Sequence, residues 1–212
     1  MSGIIAQNVL DNSGLIKAPA GGGAWNFIKK LTASASSDLS FVDGTSDVVL
    51  DSTYKEYVFT FVNIHPSAES SFTVNFRDGG SAYDATKTTT FFHPYHSEAD
   101  DDYALEYATS SDLAQGTGAQ RLFQGAMDND NDSCVSGTLH LFSPSDTTFV
   151  KHFIARTQGV VDVPAAGDNP YSRGGFMAGY CNVTAAIDGV QFAMESGNID
   201  AGTFKLYGLG DS

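Results

Sequence analysis

Residues 189–208 read GVQFAMESGNIDAGTFKLYG, and their alternation decides the fold class. Val190, Phe192 and Met194 fall on one side, with Gln191, Ala193 and Glu195 on the other. Further on, Phe204, Leu206 and Gly208 share a face opposite Thr203, Lys205 and Tyr207. Side chains in a strand alternate between faces, so each run is a strand with one buried side. The Gly, Asn and Asp residues between them, 196–202, have the chemistry of a turn, and the stretch predicts an antiparallel hairpin. As the closing element of a sandwich, its Phe192, Met194, Phe204 and Leu206 are expected to complete a core begun by Trp25 and Phe59.

The same period recurs upstream. Trp25–Thr32 reads as a first strand, with Trp25, Phe27 and Leu31 on one face and Lys29 interrupting it. Residues 54–64 form the strongest strand signal, with Tyr57, Phe59 and Phe61 alternating with Glu56, Thr60 and Val62; both faces read as covered. Phe72, Val74 and Phe76 point inward from a further strand that the Asp78-Gly79-Gly80-Ser81 turn closes. Residues 87–95 are rich in β-formers, and Pro94 places the end of that strand at an edge or outside the ladder. Segments 103–107, 119–123, 135–142, 149–156 and 176–183 add strands, and 159–174, with Pro164 and Pro170, reads as a long loop. Roughly ten strands without a helix predict an all-β chain: an antiparallel β-sandwich of jelly-roll type occupying 24–212 as a single domain. Residues 1–23 end in a Pro and a Gly triplet and read as an extended N-terminal arm that packs on a neighbouring surface.

Composition narrows the partners. With 25 acidic against 11 basic residues the net charge is −14, which repels both nucleic acid and anionic membrane. No apolar run reaches the ~18 residues of a membrane span. No basic-then-apolar leader opens the sequence, which predicts synthesis in the cytoplasm. Cys134 and Cys181 are too few for a disulfide framework and read as buried free thiols, although a bridge between them stays open.

Motifs for catalysis are missing from the sequence: it has no nucleophile elbow, P-loop or dinucleotide fingerprint, and a non-enzymatic role is expected. Two clusters have ligand chemistry. Asp128, Asp130 and Asp132 alternate as at the start of a calcium loop, but Ser133 replaces the turn Gly and Leu139 the bidentate Glu. That leaves the three aspartates as a candidate for a looser calcium site, against a solvated acidic turn. His93 and His96, followed by Glu98 and Asp100–Asp102, have zinc-type ligands, against the simpler reading of one inward and one outward His at a strand end.

Taken together, GAWNFIKKL (23–31), YKEYVFTFVNIHPS (54–67), the Asp78-Gly79-Gly80…Tyr83 turn, SDLAQGTGAQ (111–120), SGTLHLFSPSDTTFVKHF (136–153) and GVQFAMESGNIDAGTFKLYGL (189–209) resemble small virion structural proteins of tailed bacteriophages. The resemblance implies a β-rich, non-enzymatic particle component that is tail- or fibre-associated or decorates the capsid. It also implies a homo-oligomer, with a trimer as the analogy suggests, bound to other virion proteins. The competing expectation is a lectin-like host-attachment module, with His93, Tyr95, Tyr103 and Tyr171 on loops stacking against glycan.

Overall fold

The computed structural model describes residues 25–162 and 170–210. These form twelve strands: β1 (Trp25–Ser36), β2 (Asp38–Val42), β3 (Glu56–Pro66), β4 (Ser70–Arg77), β5 (Lys87–Ser97), β6 (Tyr103–Tyr107), β7 (Gln120–Met127), β8 (Val135–Phe142), β9 (Lys151–Val161), β10 (Tyr171–Cys181), β11 (Gly189–Met194) and β12 (Ile199–Leu209). Every pairing among them is antiparallel. They make an eight-stranded sheet ordered β1-β12-β3-β8-β9-β10-β5-β6 and a four-stranded sheet ordered β2-β11-β4-β7. The all-β sandwich is therefore as the alternation predicted. The expected arm, residues 1–23, lies outside the described residues.

The closing hairpin is a correction. β11 pairs with β2 and β4 in the small sheet, whereas β12 pairs with β1 and β3 in the large one. The two runs face each other across the core instead of sharing a ladder. Alternation assigns a buried face to each strand but carries no information about the hydrogen-bonding partner, and a short polar linker serves a sheet-to-sheet crossing as well as a hairpin. Gly197, at φ +72°, supplies the tight bend. The crossing is braced by the β3–β4 connection, which makes the same passage. Ser67 N donates to Asn198 O at 3.0 Å, Asn198 N to Ser67 Oγ at 2.9 Å, and Ser196 N to Ser70 Oγ at 3.0 Å.

Aromatic rings fill the space between the sheets. Phe41, Phe72, Phe76 and Phe192 from the small sheet meet Phe59, Phe61, Phe153 and Phe204 from the large one, and all eight are inaccessible to solvent. Ring centroids lie 5.3 Å apart for Phe41–Phe59, 5.2 Å for Phe61–Phe72 and 4.8 Å for Phe76–Phe153. Each such ring contributes ~1.5–3 kcal/mol by burial before ordering entropy is subtracted.

Trp25 does not begin this core. It is 50% exposed and Phe27 is 60% exposed, because the β1 ladder slips between Phe27 and Lys29. That bulge inverts the alternation: Trp25 and Phe27 point outward, while Leu31 and Ala33 beyond it point inward. Lys29, which broke the expected pattern, sits at the slip itself. In β3 only one face is fully covered. Tyr57, Phe59 and Phe61 are buried, but Val62 on the opposite side is exposed, so β3 lies centrally in its sheet and, among the described residues, no second layer covers its outer face.

β5 is likewise interior rather than ending at Pro94. It runs on to Ser97 between β10 and β6, and Pro94 still aligns with Leu105 of β6. On the β10 side the register passes from Arg173–Tyr95 to Phe176–Phe92, so the pairs beside Pro94 are skipped where its missing N–H would break the ladder. The expected loop at 159–174 is shorter: β9 extends to Val161 and β10 begins at Tyr171.

Candidate functional site

Among the described residues, two sheets of unequal width leave the outer face of the larger one open, and the register fixes what stands on it. One row crosses all eight strands: Tyr107, Phe92, Phe176, Arg156, Thr138, Thr60, Lys205, Lys30. A second row reads Thr90, Ala178, Ile154, His140, Val58, Tyr207, Phe27. A third reads Leu105, Pro94, Gly174, Gln158, Ser136, Val62, Thr203, Thr32.

In the first row, planar groups stack in line. Phe92 and Phe176 lie face to face at 5.0 Å with 3° between their planes, and the Arg156 guanidinium carbon is 5.0 Å from the Phe176 centroid. At the other margin Trp25 and Phe27 pack edge-on against Tyr207, at 5.3 and 5.8 Å. Eight of the nine exposed large apolar side chains among the described residues are on this face: Trp25, Phe27, Val62, Phe92, Tyr103, Leu105, Tyr107 and Ile154. Phe149, in the β8–β9 loop, is the ninth. An apolar concentration of this kind, with arginine among aromatics, is the composition of a recognition surface.

Charge is segregated too. The three rows hold Lys30, Lys205, Arg156 and His140 and no carboxylate. Glu56, one step beyond the second row, has its Oε1 2.6 Å from His140 Nδ1. Elsewhere Arg77 makes a two-point contact with Asp188 (2.9 and 3.0 Å) and Arg121 with Glu195 (2.6 and 2.8 Å). Among the described residues no ion pair forms on Lys30, Lys205 or Arg156. In a strongly acidic chain this face thus carries unpaired cations at Arg156 and along its β12-β1 end. Shallow depressions indent it. One is bounded by Pro94, Ser136, Thr138, Arg156, Gln158 and Phe176, and another lies over Thr90, Ala178 and Gly179.

The four aromatics assigned to glycan-binding loops are all on strands. His93 is buried on the inner face of β5, beside Tyr95 (5.9 Å between centroids), and Tyr95 meets Tyr171 at 5.8 Å. Arg173 covers the Tyr95 ring at 5.4 Å and donates through Nη1 to Gln124 O at 3.1 Å. Burial, and then the Arg173 charge, hold His93 below the usual histidine range, with Glu106 opposing them. Tyr103 is separated from the other three: it stands on the outer face and stacks on His96. The two histidines considered as zinc ligands therefore point to opposite sides of β5, His96 reaching Asp100 at 3.2 Å.

Asp128, Asp130 and Asp132 lie in the β7–β8 loop, where Asp128 Oδ1 accepts from Asn129 N and Asp130 O is 3.0 Å from His65 Nε2. Among the described residues no three His, Cys, Asp or Glu side chains are gathered as a metal ion would require. Both cysteines are free thiols, Cys181 buried as expected and Cys134 only half-buried. Cys181 occupies a buried row, Lys87–Cys181–Lys151, across β5, β10 and β9. Each lysine caps loop carbonyls: Lys87 Nζ donates to Gly118 O at 2.8 Å and Lys151 Nζ to Val183 O at 2.9 Å. Burial pushes the Cys181 thiol up to about 12, which makes it unreactive.

The outer face is not foreseen by the sequence reading. Alternation places its residues on the solvated backs of strands, and only the register brings Phe92 beside Phe176 and Arg156. No protein-family model matches this chain, and no curated protein matches it.

Proposed function

We propose that this chain is a non-enzymatic structural component of a tailed-phage virion, tail- or fibre-associated or decorating the capsid, which assembles through protein–protein contacts. The observation that carries the reading is the gathering of eight exposed large apolar side chains on one face of a rigid sandwich. A broad sheet backed by a closely packed aromatic core is suited to holding shape against a partner. The strand order supports a jelly-roll reading, in which β2-β11-β4-β7 faces β3…β5-β6 and the meander β8-β9-β10 occupies the place of one strand. Mass spectrometry and cryo-electron microscopy of purified particles test it. Density for this chain at a defined position on the virion is the expected result, and its absence from particles sinks the reading.

The glycan-attachment reading draws on the depression beside Phe176, where Ser136, Thr138, Gln158 and Arg156 offer hydroxyl, amide and guanidinium groups. Against it, both faces of the Phe176 ring are covered, by Phe92 and by Arg156, leaving no platform there for a sugar. A glycan array with no binding removes this alternative.

A further inference from the structure

We infer that the outer face of the eight-stranded sheet binds a second copy of this chain about a two-fold axis that runs parallel to the strands, between β8 and β9. The inference deepens the assembly reading above, but it concerns the purified chain and stands or falls separately from the virion setting.

Two sheets packed face to face can be related by a two-fold axis lying either along or across their strands, and the charges choose between these. An axis across the strands sets each strand over its own copy, so Arg156, Lys205 and Lys30 each meet themselves. An axis along the strands reverses the strand order and leaves each row at its own level. Phe92 then lies over Lys205 of the other copy, and Tyr107 over Lys30. The first row is built for this reversal: its β6-β5-β10 half is aromatic, and its β12-β1 end is cationic. An isologous contact needs such self-complementarity, and the methylene stems of Lys205 and Lys30 pack on the aromatic edges that the stacked rings present.

Shape follows the same division. The depressions sit over residues with little or no side chain, Gly174 in one and Ala178 in the other, both on β10. Of the groups on the other half, Val62 of β3 and Phe27 of β1 are exposed and Tyr207 of β12 is half-buried. Reversal brings Val62 over Gly174, Tyr207 over Thr90, and Phe27 beyond the β5 margin of the second row. The exposed Val62 is thereby placed where the facing surface is hollow.

The area suffices. Eight strands at ~4.8 Å span about 34 Å, and the three rows, each ~6.8 Å deep, cover about 20 Å, on the order of 700 Å² per copy. That is close to the ~800 Å² per partner of a standard stable interface.

Sedimentation of the full chain tests the inference. The expected result is a reversible dimer with a Kd of about 1 µM or tighter. Ile154→Asp should turn it into a monomer with unchanged circular dichroism and with the urea midpoint that wild type shows when diluted below its Kd. In a Cys134→Ser background, Phe92→Cys together with Lys205→Cys should link two copies through a bis-thiol reagent spanning the ~10 Å between packed sheets. Phe92→Cys alone should not. A monomer at every concentration, a trimer, or efficient linking by Phe92→Cys alone overturns the proposal, as does a monomer that binds saccharide through this face.

Discussion

The Phe192 and Phe204 ring centroids lie 5.1 Å apart, yet the two residues belong to different sheets. Phe192 also stacks on Phe72 at 5.9 Å and meets Phe59 and Phe61 at 5.7 and 6.0 Å. One ring thus joins both layers. Phe192→Ala or Phe204→Ala should each cost about 3–5 kcal/mol. Their double-mutant cycle should give a coupling of about 0.5–1.5 kcal/mol, as expected for an aromatic pair in contact. Urea denaturation of the four proteins measures both quantities; full additivity would mean that the rings do not touch.

Gly137 on β8 is required by proximity rather than by conformational freedom. A Cβ there would sit 2.2 Å from the Arg156 carbonyl oxygen and 2.8 Å from the Phe61 ring. Gly137→Ala should therefore destabilise by about 1–3 kcal/mol or more through forced separation of β8 from β9. Hydrogen exchange localises the effect: amides of 154–159 should lose protection before those of β2 and β11.

The buried row Lys87–Cys181–Lys151 gives stability a distinctive alkaline profile. Burial lowers Lys87 from 10.5 to about 8, so between these values the unfolded chain holds more protons and stability rises with pH. Cys181 is raised from 9.0 to about 12, so above 9.0 the unfolded thiol loses a proton that the folded one keeps, and stability falls. Burial also raises Tyr57 above its ordinary 10.0, which adds to the fall at higher pH. Urea midpoints of wild type and Cys181→Ala on either side of pH 9.0 separate these contributions. The variant should gain on wild type as pH rises past 9.0; parallel profiles would refute the assignment.

Calcium should leave the protein unchanged. Because, among the described residues, Asp128, Asp130 and Asp132 are not gathered into a group that could hold a metal ion, melting temperatures in calcium and in chelator should agree. A rise of several degrees with calcium that Asp130→Asn abolishes would restore the site.

Much of the fold was legible because alternation is a local property. Tyr57, Phe59, Phe61, Phe72, Val74, Phe76, Phe192, Phe204 and Leu206 are all buried on the side that their spacing assigned. Local rules failed where the backbone departs from a regular ladder. The bulge at Phe27–Lys29 turned Trp25 outward, and skipped pairs let β5 continue through Pro94. At the candidate site the sequence showed less. His93, Tyr95 and Tyr171 do cluster, but on the inner face of strands, with His93 buried and Arg173 over the Tyr95 ring.

The stretch 189–208 marks the division. By itself the sequence determined that its two runs are strands and which side of each is buried, because the two-residue period of an extended chain is written into the order of side chains. Tertiary structure alone decided that β11 and β12 part into separate sheets, since ladder partners come from residues far away in the chain. Val190 lies between Phe41 and Phe76, and Phe204 between Leu31 and Phe61. The outer face arises in the same way. Tyr107, Phe92, Phe176 and Arg156 become neighbours only through register, which depends on how the whole sheet closes.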